Sequence, residues 1–361
     1  MKKIIVSVSN DLITDQRVHK VCNSLSENGF SIILVGCQKT KPLKALERNY
    51  ETKLLKLFFT KGVLFYAEFN IRLFFFLLFR EKDVLLSNDI DTLLPNYLIS
   101  KFQNKKLVFD SHELFSEIPE LVNRRYVKNV WVSLEKKIIP KIKNTYTVCE
   151  SIAKHYKEKY NTEFKVIRNV PKSTIIEEGS LKISTERKII IYQGAINVGR
   201  GLELMIDTMM YLQEYLLVIV GDGDVKEELF QRMLKNRVKG SVYFYGKVSP
   251  EELKTITPNA VLGFSMEEDL GLNYRYALPN KIFDYIQAEI PVLCSDLPEM
   301  KKIIQEYKVG EVVMERTPEK IALQIKGMLK KDFSKELKAA KQKLIWEQEE
   351  QKLLQLFNQL V

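Results

Sequence analysis

Between Leu278 and Met300 the chain reads LPNKIFDYIQAEIPVLCSDLPEM, a helix that turns directly into a strand. Pro279 suits the first helical position, and Ile282, Phe283 and Ile286 make one apolar helical face. The run Pro291-Val292-Leu293-Cys294 has the composition of a short buried strand. A helix followed this closely by a buried strand is half of an α/β unit. Lys281 stands in the first helical turn, where a cation opposes the positive end of the helix dipole. Either an anion such as a bound phosphate compensates it, or it forms a solvated i, i+3 pair with Asp284 contributing roughly 0.2–0.5 kcal/mol.

The same alternation runs through the rest of the chain. A strand over 3–9, a helix from Asp15 with Val18, Val21, Cys22 and Leu25 on one face and Gly29 as its stop, and a strand over 31–36 make a β-α-β opening. That opening predicts a doubly wound parallel sheet with its site at the carboxyl ends of the strands. Strands follow over 84–87, 106–110, 145–149 and 165–169, and a second series over 189–192, 216–220, 242–245, 261–265 and 292–295. The stretch 171–188 lacks periodicity and reads as a linker. The expected architecture is therefore α/β, with two doubly wound Rossmann-like domains facing across a cleft. The first covers 1–170 and the second 189–335, and a C-terminal helix over 336–361 packs back toward the first. A chain of 361 residues suits two such domains.

Composition removes several function classes. Four scattered cysteines and three histidines argue against a disulfide framework or a metal site, and suit a reducing cytoplasm. Polar residues arrive within ten positions of the start, too soon for a signal peptide. The apolar run 71–79 is shorter than the roughly 20 residues that span a bilayer. It reads as a buried helix, with an interfacial anchor as the alternative. The net charge of +10 suits solubility or an anionic partner, and leaves peripheral contact with the inner face of an anionic membrane open. Nucleic acid is not expected, because the basic residues lack the interleaved aromatics of a stacking groove.

Several loops after strands carry candidate chemistry. The loop from Asn10 to Arg17 has no glycine, so a dinucleotide fingerprint is absent, and Asp15 reads as a helix cap. Gly194-Ala195-Ile196-Asn197-Val198-Gly199-Arg200-Gly201 follows a strand and opens a helix. Its amides and Arg200 would hold a phosphate, or the glycines merely let helix and sheet pack. A nucleotide-hydrolysing P-loop needs Lys and then Ser or Thr where Arg200 and Gly201 stand. Gly221-Asp222-Gly223 ends another strand. Ser87-Asn88-Asp89 and Asp110-Ser111-His112-Glu113 are polar clusters at two more strand ends.

Taken in order, GDGD, YQGAINVGRGLE and the 278–300 segment resemble the donor half of family-4 glycosyltransferases of the GT-B fold. The Asp15-x-Arg17-Val18 loop resembles a bacterial, polysaccharide-type subgroup. The resemblance implies a nucleoside-diphosphate sugar as donor, a glycan or lipid-linked acceptor, no cofactor, no metal, and front-face transfer with retention. It places donor binding on Gly194, Gly199, Arg200, Gly201, Gly221, Asn280, Lys281 and Asp284, and catalysis on His112, Arg200 and Lys281. Asp15, Arg17, Asn88, Asp89 and Glu113 would position acceptor or sugar.

This chain departs from the family pattern at several points. Ala195 stands where a first diphosphate-binding Arg is expected, so Lys281 or Arg275 has to compensate. Tyr276 replaces the first of two paired glutamates, Asp284 falls on the second, and Glu267, Glu268 and Asp269 are candidates for the missing carboxylate. Glu289 replaces a helix-ending glycine, a strain if the left-handed conformation is kept. Two other classes remain as alternatives: a nucleotide-sugar epimerase of the same fold, and a non-catalytic donor-binding homologue that docks on a membrane or a partner transferase.

Overall fold

The computed structural model describes every residue except 13–14, 38–47, 119–120, 122–123, 174–180, 182, 184 and 361. Half of the predicted linker lies outside the described residues. The chain divides into two compact units, Met1–Asn169 with Gln348–Val361, and Val170–Glu347. Of the C-terminal segment, residues 336–347 thus group with unit 2 and 348–361 with unit 1.

Among the described residues, unit 1 holds seven strands: β1 (Lys3–Asp11), β2 (Ser31–Cys37), β3 (Glu51–Leu54), β4 (Val84–Asn88), β5 (Lys106–Ser111), β6 (Asn144–Thr147) and β7 (Lys165–Val166). Their order is β3-β2-β1-β4-β5-β6-β7. Unit 2 holds β8 (Lys188–Gln193), β9 (Tyr215–Val220), β10 (Val242–Gly246), β11 (Ala260–Ser265), β12 (Val292–Cys294) and β13 (Gly310–Val312), in the order β10-β9-β8-β11-β12-β13. Every neighbouring pair is parallel. Parallel strands are covered on both faces, which is why Ile4-Ile5-Val6 and Leu217-Val218-Ile219 are continuous apolar runs with no exposed member. Each sheet reverses its strand order at one place, between β1 and β4 in unit 1 and between β8 and β11 in unit 2. Ligands of open α/β sheets bind at such points, outside the carboxyl ends of the strands.

Helix α1 (Gln16–Glu27) opens on Asp15, whose side chain accepts the Val18 amide at 3.0 Å, and the chain leaves it through Gly29 at φ 87°. Helix α2 (Gly62–Phe79) buries Phe65, Phe69, Leu73 and Leu77 on one face only, so the run 71–79 is half core and half surface. Helix α3 (Leu93–Phe102) follows β4. Cys22, Cys37, Cys149 and Cys294 are all buried and none is in a disulfide. Burial pushes the Cys22 and Cys294 thiols well above their usual range.

The helix at the centre of the sequence argument runs Asn280–Gln287, with Pro279 as its N-cap rather than its first residue. It ends in a Schellman motif: the Glu289 amide donates to the Ile286 carbonyl at 3.0 Å and the Ile290 amide to the Tyr285 carbonyl at 3.1 Å. Glu289 occupies the left-handed position with φ 57°. Its carboxylate meets Lys341 Nζ at 2.9 Å. A left-handed non-glycine residue costs about 1–2 kcal/mol, and the ion pair, with Lys341 18% and Glu289 26% exposed, recovers about 1 kcal/mol or less. Glu289→Gly is therefore expected to raise the stability of unit 2 by up to about 1 kcal/mol, read as slower hydrogen exchange in its core strands. Faster exchange would show that the Lys341 contact outweighs the strain.

Candidate functional site

The reversal point of unit 2 gathers one buried carboxylate and two cations. Glu267, just past the end of β11, has no exposed surface. Lys281 Nζ donates to its Oε1 at 2.7 Å, Ser265 Oγ donates to its Oε2 at 2.6 Å, and Arg200 Nη1 lies 3.6 Å from Oε1. Lys281 also sits over the Tyr192 ring, 4.2 Å from its centre. Burial pushes the Glu267 carboxyl up, but Lys281, Ser265 and Arg200 outweigh that and hold it below the usual carboxylate range. The anion required by a lysine in a helical first turn is thus Glu267. Of the three carboxylates that could stand in for the missing family glutamate, Glu267 alone lies on both cations. Asp269 pairs with Arg275 instead, Nη2 to Oδ2 at 2.7 Å. The two cations differ: Lys281 is 8% exposed, whereas Arg200 is 29% exposed and stacks on Tyr274 with its Cζ 5.5 Å from the ring centre.

The glycine turns build this place from backbone. A Cβ on Gly221 would stand 1.9 Å from the Gly194 carbonyl oxygen, and one on Gly201 would stand 2.2 Å from that of Met266. Both turns therefore lie in backbone contact with a neighbouring strand end. The Gly194 and Ile196 amides donate to the Val220 and Asp222 carbonyls at 3.0 Å each, so these two are spent inside the fold. The expectation that the loop's amides hold a phosphate does not extend to them. Gly199 accepts the Glu268 amide at 2.9 Å, which fixes Arg200 beside Glu267. Asp284 accepts from Gln193 Nε2 at 3.0 Å, next to the end of β8, and Asn280 is exposed at the helix start.

Sequence reasoning missed Arg316. Its guanidinium donates to Ser295 Oγ at 2.7 Å and to the Met266 carbonyl at 3.0 Å, tying the end of β12 to the backbone just before Glu267. No motif marks it, because its partners are backbone and a serine.

The ends of β4 and β5 in unit 1 carry the second cluster. Arg17 makes a bidentate pair with Asp110, Nε to Oδ2 at 3.0 Å and Nη2 to Oδ1 at 2.9 Å, and donates to the Ile167 carbonyl at 3.0 Å. It is buried, and so is Asp110. His112, 16% exposed, is held at both ring nitrogens: Nε2 lies 2.9 Å from Asp110 Oδ2 and Nδ1 lies 3.3 Å from Asp89 Oδ2. Its amide donates to Asp89 Oδ1 at 2.8 Å. Asp89 adopts φ 57°, ψ 169°, a region that side chains rarely enter and that costs on the order of 1–3 kcal/mol. Asn88 Nδ2 donates to the Ser7 carbonyl at 3.0 Å, while its buried Oδ1 has no partner among the described residues. Glu113 lies next to His112, half-buried. The structure thus gives Asp15 the work of a cap and Arg17 that of a buried brace, and leaves His112, Asp89 and Asn88 at the reversal point.

Charges in this cluster are set by one another. Burial pushes His112 down, but Asp89 and Asp110 outweigh it and raise the ring to about 9. Burial pushes Asp110 up, but Arg17 and His112 hold it down at about 2. Asp89 is raised, mainly by burial. The usual histidine value is about 6.5, so the stability contributed by the imidazolium is fully present below about pH 6.5 and is lost as pH rises through about 9. Asp89 adds a loss over a lower window, from about pH 4 to about pH 8, because ionising it costs more in the folded state than in the unfolded chain. Unit 1 is expected to weaken between pH 6.5 and 9, and His112→Gln to flatten that slope. An NMR titration of the ring with its midpoint near the free value would refute the assignment.

Two parallel doubly wound sheets of this kind are the architecture of the GT-B fold. Residues 174–344, a little under half of the chain, match the family described as glycosyl transferases group 1. No curated protein matches it by sequence. Among solved structures, it is similar to sucrose-phosphate synthase from Thermosynechococcus elongatus at TM-score 0.83 and 14% identity, covering 100% of this chain and 99% of that one. Anabaena HepE in complex with UDP and glucose gives TM-score 0.72 and 12% identity, covering 99% and 100%. WaaG, a glycosyltransferase involved in lipopolysaccharide biosynthesis, gives 0.68 and 13%, covering 97% and 98%.

Proposed function

We propose that the chain is a retaining hexosyltransferase that moves a sugar from a nucleoside-diphosphate donor to a glycan or lipid-linked acceptor in cell-surface polysaccharide synthesis. The observation that carries this reading is the meeting of Arg200 and Lys281 over Glu267 at the reversal point of unit 2, although the two cations lie far apart in sequence. The likeness to a protein bound to UDP and glucose, and to one that works in lipopolysaccharide biosynthesis, supports it.

Breaking the glycosidic bond puts negative charge on the leaving diphosphate, and catalysis requires cations aimed at that charge. Arg200 is the cation free to turn, being partly exposed and 3.6 Å from Glu267. Lys281 stays on Glu267 and cancels its charge, so Arg200 carries the net positive charge of the triad that this reading sets against the diphosphate. Asp284 and Asn280 would hold the nucleoside. His112 already uses both ring nitrogens, so its contribution would be its positive charge rather than a hydrogen bond to sugar.

The test is to incubate the protein with a panel of nucleotide sugars, with and without candidate acceptors, and to measure nucleoside diphosphate release. One donor is expected to release diphosphate faster when acceptor is present, at a rate unchanged by EDTA. Epimerised donor without acceptor would favour the epimerase, and donor binding without turnover on any acceptor would favour the non-catalytic homologue.

A further inference from the structure

Helix α2 is apolar on both sides, but only one side is covered. Phe65, Phe69, Leu73 and Leu77 are buried, while Leu64, Ile71, Phe75 and Phe79 form an exposed stripe on the opposite face. Contiguous exposed apolar surface of this kind marks an interaction site. A neighbouring loop extends it. The Glu68 carboxylate accepts the backbone amides of Phe58 at 2.9 Å and Phe59 at 3.0 Å, pinning that loop to the helix with Phe58 84% exposed.

The charges around the stripe are nearly all of one sign. Lys56, Lys61, Arg72 and Arg80 flank it, and from Leu54 to Arg80 the only acid is Glu68. That carboxylate is spent on the two amides and on Arg72 Nε at 2.7 Å, and Arg72 lies over the Phe58 ring with its Cζ 5.1 Å from the centre. No unpaired anion faces outward from this stretch. By length and composition the helix would cross a bilayer, but its inner face is already part of the unit 1 core, so it can only lie along a surface.

We propose that this face docks unit 1 on an anionic lipid bilayer, with the apolar stripe entering the headgroup–acyl boundary and Lys56, Lys61 and Arg80 meeting lipid phosphates. A second copy of the chain is the poorer occupant. A two-fold contact would bring like cations against like. A bilayer offers both the apolar layer and the opposite charge.

Sedimentation of the full chain with vesicles tests this without donor or acceptor, and so independently of the transferase reading. The protein is expected to bind vesicles of phosphatidylcholine with phosphatidylglycerol, to bind pure phosphatidylcholine poorly, and to be released by salt. Phe75→Glu with Phe79→Glu should lower binding about tenfold or more. Phe58→Ala, outside the helix and unable to disturb its packing, should lower it several-fold, and Lys56→Glu with Lys61→Glu should remove most of the salt dependence. Three results would overturn the proposal: no preference for anionic vesicles, variants that bind like wild type, or a lipid-free dimer that Phe75→Glu dissociates.

Discussion

Lys281→Ala is expected to abolish binding of nucleoside diphosphates and to destabilise unit 2 by about 3–5 kcal/mol, the usual cost of leaving a buried charge without its partner. Glu267 has no exposed surface and would keep only Ser265 Oγ at 2.6 Å and the more distant Arg200. Loss of binding alone would not separate a ligand contact from a collapsed site. The Lys281→Met, Glu267→Gln pair does separate them, since replacing both charges by neutral groups of similar volume is close to neutral for stability. Calorimetry with a panel of nucleoside diphosphates, beside hydrogen exchange in β8 and β11, should show stability largely restored and binding still absent. If the double variant regains binding, Lys281 only holds Glu267.

Arg17→Ala should be comparably severe in unit 1. The guanidinium makes three hydrogen bonds and neutralises Asp110, whose carboxylate has no exposed surface. A loss of about 3–5 kcal/mol is expected, read as fast hydrogen exchange across β1, β4 and β5 while the unit 2 strands keep their protection. Arg17→Lys should recover only part, because a point charge cannot reproduce a planar bidentate fork. The His112 ring should then titrate higher, having lost a cation that shares its carboxylate. Normal unit 1 protection in Arg17→Ala, with defective transfer, would return Arg17 to the acceptor-binding role that its motif implies.

The two sheets were legible because parallel strands are covered on both sides and so leave unbroken apolar runs such as 4–6 and 217–219. The edge strands β3 and β13 were not, since Glu51-Thr52-Lys53-Leu54 and Gly310-Glu311-Val312 have no such run. Lys281 was legible as a residue in want of an anion. Its partner was not, because Glu267, Glu268 and Asp269 are equivalent until the strand end decides which one points inward. Arg17 and Asp110 lie far apart in sequence, and no local pattern couples them. The outer face of α2 was invisible for a different reason: a helix apolar all round has no periodicity from which to read its exposed side.

The buried thiols give this chain an internal recorder. Cys22, Cys37 and Cys149 lie in unit 1 and Cys294 in unit 2, each out of reach of solvent until its own unit opens. A thiol reagent added in slight excess would therefore time-stamp openings unit by unit, and peptide mapping would read the stamps. Damage confined to one sheet would be recorded there and nowhere else.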